Sequence, residues 1–130
     1  MIRHLFLKIV AETEECAKSS CPSPERYMEG YHCEEEHVYA VTLSAELSGS
    51  YNSAVLGKSL YEEEYGEKDI HVFNSRSASV GETLIALKIA ECEEQGMTFE
   101  QVIDTVEAIS VNRIPILCWR HWRHFVKTED

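Results

Sequence analysis

Two short runs in this chain, His37-Val38-Tyr39-Ala40-Val41-Thr42-Leu43 and Asp69-Ile70-His71-Val72-Phe73-Asn74, are rich in β-branched and aromatic residues. Runs of that length and composition predict strands, the first of them buried. The segments around them carry apolar residues at helical spacing. Leu5, Ile9, Val10 and Ala11 predict a helix over 2–17, and Tyr51, Ala54, Val55, Tyr61 and Tyr65 supply the apolar side of another over 51–65. Residues 80–95 hold Leu84, Ile85, Ala86, Leu87, Ile89 and Ala90 almost all the way round, a pattern that predicts a deeply buried helix. Phe99, Val102, Ile103, Val106 and Ile109 make one clean face on a last helix.

Local signals punctuate these elements. Ser23 at an N-cap, Pro24 where its missing N–H costs nothing and Glu25 near the positive dipole end predict a short helix that carries Tyr27, Met28 and Tyr31 inward. Gly66 and Gly96 end the two central helices, and Thr98-Phe99-Glu100-Gln101 reads as a capping box. Strands alternating with helices predict an α/β fold: a parallel sheet with right-handed βαβ crossovers and helices on both faces. No internal repeat is visible.

The 130 residues argue for one domain, and 44% hydrophobic with 27% charged residues permits a packed core. Twelve Lys+Arg against 23 Asp+Glu give a net charge of -11, which repels phosphate backbones and anionic bilayers and argues against nucleic acid or a membrane surface as partner. No apolar run approaches the roughly 20 residues of a spanning helix, and the short apolar start broken by Lys8 is not a secretion signal. Five cysteines at irregular spacing fit reduced thiols in a cytoplasmic protein better than a disulfide framework. A metal site built on Cys33 and His37, four apart, with Cys16, Cys21 or His32, lacks the tight C-x2-C pairs such sites use, and ordinary small side chains are the simpler reading.

Ligands of open parallel sheets bind beyond the carboxyl ends of the strands. Two Ser-rich loops follow the strands, Ser44 to Ser50 and Ser75 to Ser79. In the first, Leu47-Ser48-Gly49-Ser50 runs into a helix N-terminus, where hydroxyls, a small Gly and unpaired N–H groups suit a carboxylate or phosphate. Plain helix capping explains the same serines from spacing alone. A nucleophilic Ser48 is the enzymatic rival, as a hydrolase or phosphotransfer enzyme, but the G-x-S-x-G elbow lacks its first Gly, and His71 lies inside a strand. Neither a phosphate-binding P-loop nor G-x-G-x-x-G is present.

Ser19-Ser20-Cys21-Pro22-Ser23-Pro24, then Thr42 to Ala54 with Leu47-Ser48-Gly49-Ser50-Tyr51-Asn52-Ser53-Ala54, then Asn74-Ser75-Arg76-Ser77-Ala78-Ser79-Val80-Gly81 resemble the successive signatures of the DegV family over residues 8 to 113. These are bacterial fatty-acid-binding proteins, some of which carry the acyl group for a fatty-acid kinase whose separate subunit phosphorylates the carboxylate. The resemblance implies binding without catalysis, a bound long-chain fatty acid and no cofactor or metal. It implies that hydroxyls from two loops hold the carboxylate: Ser19 in the place of the family's usual Thr, Ser48 and Gly49 as the Ser and Gly of L-S-G, with Ser44 and Ser50 lining the same turn. Asn74 stands where the family usually has Asp. Family members are about twice this long and have two domains. On that comparison residues 1–113 are an incomplete N-terminal domain without its first strand, and the family's C-terminal His and Arg have no counterpart. The surface left uncovered predicts a homo-oligomer.

Residues 114–130 are an atypical tail that holds both tryptophans, Trp119 and Trp122. Joining the third base of each codon to the first two of the next forces Leu at Cys118-Trp119 and again at His121-Trp122. Glu, Thr, Gly and Arg are permitted around them, close to the continuation that the family would have. The expectation is a frameshift near 114–117, which sequencing of the coding DNA would show by a second DegV-like domain in the shifted frame.

Overall fold

A computed structural model of the chain describes residues 8, 9, 11, 12 and 18–112. Lys8, Ile9, Ala11 and Glu12 are helical, within the first helix predicted. The elements that follow are α1 (Pro24–Tyr31), β1 (His37–Thr42), α2 (Ser50–Tyr65), β2 (Asp69–Asn74), α3 (Val80–Glu94) and α4 (Phe99–Asn112). The tail 114–130 lies outside the described residues.

β1 and β2 pair in parallel, His37 opposite Asp69 through Thr42 opposite Asn74, with α2 as the crossover. Period-two alternation sends the side chains to two faces. Val38, Ala40, Ile70 and Val72 pack with Tyr31, Ala54 and Tyr61 of α1 and α2. Tyr39, Val41 and Phe73 pack on the other face with Ile85, Ile89 and Cys92 of α3 and Val102 and Val106 of α4. Helices therefore cover both faces, as the order of elements predicts.

The helix ends follow local chemistry. Thr98 and Gln101 form the reciprocal capping box, Thr98 N–H to Gln101 Oε1 at 3.0 Å and Gln101 N–H to Thr98 Oγ1 at 3.4 Å. Gly66 and Gly96 close α2 and α3 with φ of 93° and 72°, the left-handed region that Gly enters without cost. Ser23 occupies the predicted cap position but makes no side-chain cap hydrogen bond, so Pro24 and the extended backbone at Ser23 make the start.

Three expectations of burial need correction. β1 is half-buried from His37 to Val41, because among the described residues only β2 flanks it. α3 buries one stripe, Gly81, Ile85, Ile89 and Cys92, while Val80, Leu84 and Leu87 are 60%, 43% and 62% exposed. Val55 and Tyr65 of α2 likewise face outward. Hydrophobicity all round a helix states what it can bury against, and only one side of α3 meets the sheet.

A contact that the sequence reading did not single out brings α1 against α2. A Cβ on Gly57 would sit 2.6 Å from the Pro24 carbonyl and 2.7 Å from Tyr27 Cβ, so the helices meet at backbone distance. The buried Tyr31 hydroxyl adds a hydrogen bond to the Ala54 carbonyl at 3.0 Å. This packing places the loop before α1 beside the N-terminus of α2.

Candidate functional site

Because β1 and β2 end in register at Thr42 and Asn74, the chain leaves both strands at the same edge of the sheet. Backbone hydrogen bonds join the two loops: Ser44 N–H to the Ser77 carbonyl at 2.9 Å and Ser75 N–H to the Thr42 carbonyl at 3.3 Å. Asn74 Oδ1 accepts from Ala45 N–H at 3.2 Å and from Arg76 N–H at 3.0 Å. Ser44, Ser50 and Ser75 are buried. Arg76 and Ser79 have φ of 49° and 57°, left-handed conformations that cost a non-glycine residue about 1–3 kcal/mol and gather at functional loops.

Within the first loop Ser44 is a turn former. Its carbonyl accepts Leu47 N–H and Ser48 N–H, at 2.9 and 3.1 Å, and its Oγ accepts Glu46 N–H at 3.3 Å. Ser48 Oγ accepts Ser50 N–H at 3.2 Å and lies 2.9 Å from Ser50 Oγ. One hydroxyl of that pair donates to the other, which leaves one O–H to turn toward a ligand. Ser53 N–H is taken by the Gly49 carbonyl, so the N–H groups of Tyr51 and Asn52 remain at the open first turn of α2. The helix dipole adds partial positive charge at the same point.

The loop before α1 borders this turn. Cys21 Sγ lies 3.9 Å from Ser53 Oγ and 3.4 Å from where a Cβ on Gly49 would stand. Ser19 is exposed, two residues before Cys21. The structure thus brings Ser44, Ser48, Gly49 and Ser50 into one turn and sets the Ser19 segment beside it. Sequence reading missed Asn74 as the residue that touches both loops. Its visible signals were its place at the head of a family signature and its position as the last residue of a strand before a Ser-rich loop, which suits Asn side-chain bonds to nearby N–H groups.

Three of the histidines have partners elsewhere. His37 Nδ1 is 3.0 Å from Glu93 Oε1, and the Tyr39 hydroxyl donates to the same oxygen. Those two contacts, Tyr39 first, hold the Glu93 carboxyl below its usual range, and burial chiefly pushes the Tyr39 phenol up. His71 Nε2 is 3.3 Å from Glu107 Oε1, and burial lowers its basicity despite that carboxylate. His32 packs against Tyr65, with ring centroids 4.7 Å apart and the planes tilted by 52°. Ser48 pairs with Ser50 and not with a base. Among the described residues no three His, Cys, Asp or Glu side chains gather to hold a metal ion, Cys21, Cys33 and Cys92 are free thiols, and no helix is long and apolar enough to cross a membrane.

Fold and site define a class: an α/β domain whose strand-end loops gather hydroxyls and the N–H groups of a helix start at one end of a parallel sheet. The chain belongs to the DegV family of uncharacterised proteins, whose profile it matches over residues 2–127, a span wider than the motifs at 8–113. A crystal structure of a DegV family protein from Ruminococcus gnavus with vaccenic acid is 72% identical over 85% of this chain and 39% of its own, with a TM-score of 0.79. The Streptococcus pneumoniae Fatty Acid Kinase (Fak) B3 protein, loaded with linoleic acid, is 34% identical over 82% of this chain and 38% of its own, with a TM-score of 0.75. A DegV domain-containing protein of Streptococcus pneumoniae is 38% identical over 103 residues, 79% of this chain. The match spans 36% of that relative's length.

Proposed function

We propose that this chain supplies the carboxylate-holding loops of a fatty-acid-binding protein. In this reading the carboxylate accepts hydrogen bonds from the spare hydroxyl of the Ser48–Ser50 pair and from N–H groups of the first turn of α2. Gly49 lets the ligand approach the backbone, Ser19 contributes from the neighbouring loop, and buried Ser44 holds the turn. The observation that carries the reading is the Ser48–Ser50 pair, 2.9 Å apart on a helix N-terminus that lies beside a second serine loop. Relatives 72% and 34% identical to this chain hold vaccenic and linoleic acid.

The role in this reading is that of a cytoplasmic carrier and not of an enzyme, which the pairing of Ser48 with Ser50 among the described residues supports. The likeness to the Fak B3 protein supports a fatty-acid kinase subunit as partner. Exposed Leu47, Val80 and Leu87 support association with a second copy, which light scattering at increasing concentration would reveal. Titration of the chain with oleate and with methyl oleate tests the reading. Oleate should bind and the ester should bind at least tenfold more weakly, since charge-assisted hydrogen bonds contribute about 1.5–3 kcal/mol. Equal affinity for acid and ester, or no binding of either, overturns it.

A further inference from the structure

We propose that Asn74 is the positioning residue of this site: one carboxamide oxygen clasps the loop after β1 and the loop after β2 into a single unit. The other cross-loop bonds, Ser44 to Ser77 and Ser75 to Thr42, run between backbone atoms and form whatever side chains are present. Asn74 Oδ1 is a side-chain acceptor with two lone pairs, and both are used, by Ala45 N–H at 3.2 Å and Arg76 N–H at 3.0 Å. The Arg76 bond closes a turn two residues on and holds Arg76 at its φ of 49°. The Ala45 bond reaches 29 residues back along the chain, to the turn whose carbonyl at Ser44 accepts Ser48 N–H. Ser48 is thereby indexed to the end of β2 through one side chain. The requirement is for an oxygen acceptor: a carboxylate serves it and a methyl group does not.

Amide hydrogen exchange in the ligand-free chain tests the clasp separately from the proposed function, on which only a second, binding readout rests. Asn74→Ala should speed exchange at both Ala45 and Arg76 by about fivefold or more, the loss of roughly 1 kcal/mol per hydrogen bond. Asn74→Asp should keep both within about threefold of the parent. Protection of both amides in Asn74→Ala overturns the clasp, and so does their loss in a folded Asn74→Asp, the variant that decides the matter if Asn74→Ala does not fold. Where the parent binds oleate, Asn74→Ala should weaken binding about tenfold and Asn74→Asp should stay within threefold; equal binding by parent and Asn74→Ala also overturns the clasp as a positioning device. A parent that binds no oleate overturns the proposed function alone, and the exchange readout still decides the clasp.

Discussion

The two ends of the parallel sheet are built from different chemistry. At the carboxyl end, hydroxyls, one carboxamide and backbone N–H groups satisfy one another across two loops, with two left-handed residues held in place. At the amino end, charge dominates: His37, Tyr39 and Glu93 meet at one carboxylate oxygen, and Lys68 Nζ donates to the carbonyls of Tyr31 and Cys33 at 3.1 and 2.7 Å. Hydrogen bonds to one carboxylate and from one ammonium group tie helix ends to strand starts and serve stability. Hydroxyls and helix N–H groups, each with capacity to spare, are what a ligand can use. On the proposed function, the difference gives binding to one end and fold maintenance to the other.

Substitutions should separate the two roles. The largest effect is expected for Ser48→Ala, which should weaken oleate binding by about 1–3 kcal/mol with little change in thermal stability. An equal loss of stability would erase the contrast between the ends. Gly57→Ala should destabilise the fold by about 1–3 kcal/mol, because the added methyl meets a carbonyl at 2.6 Å and helix propensity returns only part of that. Denaturant unfolding gives the number, and a stabilised variant would refute the close approach.

At the amino end, Glu93→Ala should cost about 1 kcal/mol in denaturant unfolding, leave oleate binding unchanged, and reduce acid sensitivity. The Glu93 pKa is lowered in the folded chain, so its contribution is present above the unfolded value near 4.5 and is lost as pH falls through the folded value. The smallest change is expected for His71→Phe. The lowered pKa of His71 means that folding disfavours its protonation, so stability is full above the unfolded value near 6.5 and declines as pH drops below it. Phe keeps the ring contact with Phe73, at 4.5 Å for His71, and should flatten the stability profile between pH 7 and 5. An unchanged profile would show that another group carries the pH dependence.

Much of the fold was legible because its signals are local. The β-branched runs of β1 and β2, Gly66 and Gly96 as helix stops, and the Thr98–Gln101 box each act within a few residues. The Ser44–Ser50 turn was legible for the same reason. What stayed hidden depends on pairs distant in sequence: which side of α3 meets the sheet, that Gly57 admits α1, and that Asn74 reaches Ala45. Ser23 shows the limit of position alone, since a preferred capping residue stands at the cap and makes no side-chain cap hydrogen bond.

The parallel ladder has a kinetic consequence. Every pair from His37–Asp69 to Thr42–Asn74 joins residues 32 positions apart, with α2 between them. Closing a flexible loop of that length costs roughly 3 kcal/mol in chain entropy before any ladder bond offsets it. Helical turns form within their own segments in under a microsecond, whereas parallel pairing waits for that closure. The Ala45–Asn74 and Ser44–Ser77 contacts lie just past the last ladder pair, so they form only after the strands have met. The clasp between the two serine loops thus follows strand pairing, and in refolding experiments recovery of ligand binding should lag behind recovery of helix signal.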